Sequence, residues 1–262
     1  MGTLTRTVLL IVAGLTTLVP CKANAWIRSI RPQLYDIPRQ VNVSIDGDTS
    51  EWVTPGFLVG PLAGKDGSTL PCEDFDVRVR LGWSSKGLLF SINLRDDVSN
   101  EGPIDLITSF DSVSLRVADA AKPDRFVVVN IASGADTRFD GTRIDVDRRG
   151  LFLLDVEAAG QEVDGVFSLE VLVPLEQLGG VVFGREFEVQ IVARDRDGQG
   201  DPFLVNWFPW DDLSVGSMAH RVRLSAHASK AVRGSAAGIY PDYLNGLVKL
   251  VCDAELIGKQ AK

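Results

Sequence analysis

Asp46, Asp48 and Ser50 alternate within "SIDGDTSEW" (residues 44–52), and the first oxygen ligands of a calcium-binding loop follow the same spacing. A hard divalent cation takes about six to eight oxygens, and alternate side chains on a turn can aim several of them inward. The EF-hand pattern is not completed: its glycine position holds Glu51 and its closing carboxylate position holds Phe57. The other reading of this stretch is an Asp-Gly turn with Trp52 tucked into the core. A second acidic stretch, "DRDGQGD", alternates Asp195, Asp197, Gln199 and Asp201, with Gly198 and Gly200 freeing the backbone. Its closing position holds Asn206, so it reads either as a calcium loop or as a solvated hairpin turn. Asp96, Asp97 and Asp111 add carboxylates at strand ends.

The second chemistry is aromatic. "NWFPWDD" places Trp207, Phe208 and Trp210 within four positions, followed by Asp211 and Asp212. One face of a pyranose is a sheet of C–H bonds that can lie on an indole, while nearby carboxylates hold the hydroxyls. In extended backbone Phe208 faces away from Trp207 and Trp210, and Pro209 interrupts the regularity. The pattern puts Trp207 in the core and makes Trp210 the exposed ring. Trp52 and Trp83 read as packing residues. There is no nucleophile elbow, phosphate-cradling glycine loop or HExxH, and nothing marks a carboxylate pair for glycoside hydrolysis. His220 and His227 are too few for a typical imidazole zinc site.

Strands must position these residues. "FDVRVRLGW" sends Val77, Val79 and Leu81 one way and Arg78 and Arg80 the other, the period of a half-buried strand. "GLLFSINLRD" follows across a short turn as the second arm of a hairpin. "DSVSLRVAD", "RFVVVNIAS", "LFLLDVEAA", "GVFSLEVLVP", "FEVQIVARD" and "HRVRLSA" continue the series, punctuated by Gly, Asp, Asn and Pro. Short strands at this spacing predict an all-β protein, an antiparallel sandwich or barrel. Only "PLEQLGG" and the C-terminal "PDYLNGLVKLVCDAEL" read as helical, the latter after an Ala/Ser/Gly-rich linker. That C-terminal helix either packs on the sandwich or docks a protein partner.

At the N-terminus Arg6, the apolar residues 8–19 and Ala23-Asn24-Ala25 fit a secretory signal cut after Ala25. A lipoprotein signal at Cys21 and an uncleaved anchor are the rival readings. Without Arg6 and Lys22, 25 basic side chains face 35 acidic ones, a net charge of −10. Such a surface repels phosphate backbones, which argues against nucleic acid, and it suits neutral ligands and cations. Cys72 and Cys252 remain after cleavage, either as one disulfide or as two thiols.

Five stretches in order give a family resemblance: "VSIDGDTSEWV", "VRVRLGWSSKGLLFSINLRDD", "FDSVSLRV", "GVFSLEVLVPLEQLG" and "FEVQIVARDRDGQGDPFLVNWFP". Over residues 41–225 the chain resembles the carbohydrate-binding module family 9-like domains. The resemblance implies a jelly-roll-like β-sandwich with structural calcium, and in founding members a clamp of two tryptophans on the end of a sugar chain. Asp46, Asp96, Asp111 and Asp195 occupy places of recurrent acids. At one clamp position this chain has Thr108, with Phe110 nearby; at the other, Trp210 is close but out of register. The combined reading is a signal (residues 1–25), an N-terminal extension (26–40), the sandwich (41–225) and a linker with the C-terminal helix (226–262). Its function is that of an exported, non-catalytic carbohydrate-binding module, secreted or in the cell envelope. The candidate ligand residues are Trp210, Asp211, Asp212, Trp207 and Phe110, and the candidate calcium residues Asp46, Asp48, Asp96, Asp111, Asp195 and Asp197. The alternatives are a cell-envelope interaction domain without a sugar site, or a component of glycoside-hydrolase-mediated carbohydrate catabolism.

Overall fold

The structure, a computed structural model, describes residues 32–52, 56–59, 62–64, 68–149, 151, 155–208 and 219–229. They form two sheets. The first has the order β1 (Leu34–Ile37), β12 (His220–Leu224), β10 (Glu186–Asp195), β5 (Ser112–Asp119), β6 (Lys122–Ala132) and β7 (Arg143–Arg149). β11 (Phe203–Asn206) pairs with the second half of β10, on the edge whose first half holds β12. The second sheet runs β2 (Phe57–Leu58), β3 (Phe75–Trp83), β4 (Gly87–Asp96), β9 (Val166–Pro174) and β8 (Glu157–Val163). Neighbours are antiparallel except β1 and β12, which run parallel.

The period-2 pattern is what builds the core. Val113, Leu115 and Val117 of β5 meet Phe90 and Ile92 of β4, Val171 and Val173 of β9, and Val189 and Ile191 of β10 in one cluster between the sheets. Each such side chain, taken from water to full burial, contributes about 1.5–3 kcal/mol. Trp83 closes one end: its Nε1 donates to the carbonyls of Ile37 and Ser225, so one indole ties the ends of β1 and β12.

The all-β antiparallel sandwich is therefore the fold. β3 and β4 occupy the predicted "FDVRVRLGW" and "GLLFSINLRD". β7, "RIDVDRR", is absent from the sequence reading, because charge at five of its seven positions masks the alternation of Ile144 and Val146. "PLEQLGG" forms only a single 3-10 turn, Glu176–Leu178, stopped by Gly179 at φ 103°. β1 lies in the stretch read as an N-terminal extension, where four residues flanked by polar positions give little periodicity. Among the described residues no helix is long and apolar enough to cross a membrane. Residues 1–31, which carry the proposed signal, and 230–262, with the C-terminal helix and Cys252, lie outside the described residues. Cys72 is an exposed free thiol.

Candidate functional site

Three places on this scaffold gather polar groups. The first is the opening stretch. Asp46 Oδ1 accepts from the backbone N–H of Asp48, and Asp48 Oδ1 accepts from that of Ser50, both at 2.9 Å. These are two successive side-chain-to-backbone turns, the second capping the 3-10 turn Thr49–Glu51. The anchor is Glu170 of β9, with no exposed surface. Its Oε1 accepts from Trp52 Nε1 at 2.7 Å, and its Oε2 accepts from the N–H groups of Gly47 and Asp46 at 3.1 and 3.3 Å. Oxygens of Asp46, Glu51 and Glu170 lie within 4.8 Å of one another, but each of these side chains already accepts from at least one backbone N–H. Asp48 is not part of this group; its hydrogen bonds to Ser50 hold its carboxyl below the usual range. The geometry is that of the Asp-Gly turn with Trp52 buried. Gly47 has φ 92°, and a Cβ there would lie 2.9 Å from the backbone of Gly160 and Gln161. Gly47→Ala is expected to lower stability by about 1–3 kcal/mol, read as the shift of the urea midpoint.

The second place is the end of the sandwich where β3, β4 and β10 meet. Carboxylate oxygens of Asp96, Asp195 and Asp197 lie within 4.8 Å of one another, as do those of Asp74, Asp97 and Asp197. Asp111 is close enough to interact with Asp96, and its own carboxylate accepts from the backbone N–H groups of Asn100 and Arg196. Burial, reinforced by the neighbouring charges, pushes Asp96 up to about 6, Asp195 to about 7 and Asp111 to about 8. Burial first, then Asp74 and Asp97, also raises Asp197. Asp195 is 6% exposed, and its Oδ1 is buried without a hydrogen-bond donor. An acceptor buried without a donor, facing other carboxylates, lacks a positive charge; an oxygen-seeking divalent cation fits this donor set. The sequence candidates Asp96, Asp111, Asp195 and Asp197 thus come together, whereas Asp46 and Asp48 stand in the separate loop. Asp97, marked in the sequence only as a strand-end carboxylate, joins the group, and so does Asp74, which the sequence did not mark. Asp74 precedes β3 in a turn whose partner is visible only from the β3–β4 register.

The third place is the outer face of the first sheet. Ala193 and Val205 face the core, so Arg194, Ser112 and Leu204 face outward. Arg194 Nη1 donates to Ser114 Oγ at 2.6 Å, Ser114 Oγ donates to Asn130 Oδ1 at 2.7 Å, and Asn130 Nδ2 donates to Asp145 Oδ2 at 3.2 Å. The file crosses β10, β5, β6 and β7. Asn206 extends the same face on β11, with Oδ1 buried and without a donor. Burial lowers Arg194 to about 10. Sequence periodicity marks only the inward residues of these strands and gives no sign that the outward ones form a buried file.

Of the aromatic candidates, Trp207 is 3% exposed and packs against Tyr35, Phe57 and His220, so it offers no face to a ligand. Phe110 packs against Gly102 and carries the Arg196 guanidinium 4.4 Å from its centroid. Trp210, Asp211 and Asp212 lie outside the described residues.

The sandwich has a fold like that of carbohydrate-binding module family 9, by comparison with solved structures. No family model and no curated protein sequence matches the chain. Among solved structures it is similar to a family 9 carbohydrate-binding module from Caldicellulosiruptor kristjanssonii in complex with cellotriose. The TM-score is 0.54 at 12% identity, over 76% of this chain and 96% of that one. A complex of a family 9 module from the same organism with glucose gives a TM-score of 0.53 at 12% identity, over 74% and 97% of the two chains. A candidate carbohydrate-binding protein from Bacteroides uniformis gives 0.51 at 12% identity, over 74% and 99%.

Proposed function

We propose that the protein is an exported, non-catalytic carbohydrate-binding module whose sandwich is stabilised by calcium. The observation that carries the reading is the likeness of the sandwich to solved carbohydrate-binding modules, with the polar file of Arg194, Ser114, Asn130 and Asp145 running under the same outer face. The solved neighbours include modules bound to cellotriose and glucose, and hydroxyl-rich ligands are held by a few polar groups on a rigid scaffold. With Trp207 buried and Phe110 packed, Trp210 is the aromatic plate of the proposal, with Asp211 and Asp212 as hydroxyl ligands. Asp96, Asp111, Asp195 and Asp197, joined by Asp74 and Asp97, would hold the cation. Calcium there would supply the positive charge that the buried Asp195 oxygen lacks.

The test is a glycan panel with wild type and Trp210→Ala. Loss of one stacking ring is expected to weaken binding by about tenfold or more, since about 1.4 kcal/mol is a factor of ten. Binding unchanged by the substitution removes Trp210 from the site. The alternative, an envelope interaction domain without a sugar site, is favoured by exposed Thr108 at a clamp position and by the packed Phe110. Silence across the whole panel is the result that selects it.

A further inference from the structure

Arg194 differs from Arg116, the other deeply buried arginine among the described residues, and from the half-buried, ion-paired Arg143 and Arg185. Arg116 has Glu188 at 3.8 Å, Arg143 has Glu101 at 2.8 Å, and Arg185 has Asp119 at 2.8 Å. Arg194 is 8% exposed, its one described hydrogen-bond acceptor is the uncharged Ser114 hydroxyl, and no carboxylate among the described residues is paired with it. A guanidinium presents five N–H donors in a planar fork that matches a carboxylate. Removing that charge from water without a counter-ion costs several kcal/mol in general, so such a group is ordinarily paired. Asp145, at the far end of the file, is separated from Arg194 by Ser114 and Asn130 and is engaged by the Asn130 amide.

The surroundings are suited to a sugar acid. Leu204 lies directly across from Arg194 on β11 and is 40% exposed, so apolar surface reaches solvent beside the guanidinium. Asn206, two residues further on the same face, has a buried Oδ1 awaiting a donor such as a hydroxyl. One cation without a counter-ion, one acceptor without a donor and one apolar shoulder together complement a pyranose bearing a carboxylate.

We propose that this face selects acidic sugars, with the carboxylate of a uronic acid residue paired to Arg194 and a ring hydroxyl donated to Asn206. The inference rests on the carbohydrate-binding reading and narrows it to a ligand class. The surface charge of the chain does not oppose it, because the short-range fork–carboxylate pair is local while the acidic surface is screened over about 8 Å at physiological salt.

The experiment is calorimetric titration of the full chain with glucuronic and galacturonic acids and, as matched controls, glucose and galactose. The uronic acids are expected to bind at least tenfold tighter than their neutral counterparts, with the preference shrinking at 1 M salt. In Arg194→Gln the preference disappears, and in Arg194→Lys, which keeps the charge without the fork, part of it remains. Equal affinity for acidic and neutral sugars overturns the inference and leaves the carbohydrate-binding reading intact. So does a preference unchanged in a folded Arg194→Gln. Absence of binding to every sugar overturns both. The wild-type comparison alone decides the matter if the variants do not fold.

Discussion

Glu170→Ala should cost the sandwich about 3–5 kcal/mol, because neutral N–H donors are left buried without an acceptor at about 1–3 kcal/mol each. The whole stability of a domain is about 5–15 kcal/mol, so this one carboxylate accounts for a large share of it. Three donors lose their acceptor together: the indole N–H of Trp52 and the backbone N–H groups of Asp46 and Gly47. Trp52 also packs with Leu89 and Leu172 on the outer face of the second sheet, so the loop loses its seat. Glu170→Gln keeps the shape and one acceptor oxygen and should cost about 1–2 kcal/mol. Urea denaturation, followed by intrinsic tryptophan fluorescence, measures both. A midpoint for Glu170→Ala equal to that of wild type would show that the loop holds without the carboxylate.

Calcium should raise stability at pH 8 by about 2.7 kcal/mol when present at about a hundred times its dissociation constant. For a chain of this size that is a rise in Tm of roughly 5–10 °C. The pH dependence follows from the acidic end. Asp96, Asp195 and Asp111 have folded values near 6, 7 and 8, above the ordinary carboxylate value of 3.8. A group raised by folding contributes stability that is full below its unfolded value and is lost as pH climbs through the folded one. The cation-free protein should therefore weaken steadily between about pH 4 and pH 8, and calcium should remove most of that slope. At pH 5 protons compete for the same oxygens, and the calcium shift should be small. Asp195→Asn should make the cation-free protein more stable at pH 8 and abolish the calcium shift. Differential scanning calorimetry with EDTA and with calcium tests both; identical curves would remove the metal from the proposal.

Legibility from sequence followed the direction in which side chains point. Strands such as β3, β4 and β5 were readable because apolar residues alternate inward, and one inward face is enough to specify a sandwich. Asp96, Asp111, Asp195 and Asp197 could be marked because carboxylates at strand ends stand out in otherwise apolar runs. Which acids share one cluster was not readable, since that depends on β4 and β10 belonging to different sheets that converge at one end. Glu170 was visible as the one charge inside "FSLEVLVP", but its partner Trp52 lies 118 positions away. The outward file was hidden for a further reason: Ser114, Asn130 and Arg194 occupy positions that the alternation assigns to solvent, yet all three are buried.

The parallel pairing of β1 with β12 has a consequence for how the molecule comes into being. Asp36 and Arg223, 187 positions apart, are joined by an ion pair across that seam. During synthesis the opening strand must wait for nearly all of the remaining sandwich to emerge before it can be zipped in. Contacts so distant along the chain slow folding, because loop-closure entropy is spent before the pairing returns anything. A nascent chain halted before residue 220 would keep the edge of β10 that β12 covers open, and Trp83 would lack the Ser225 carbonyl that its indole shares with Ile37.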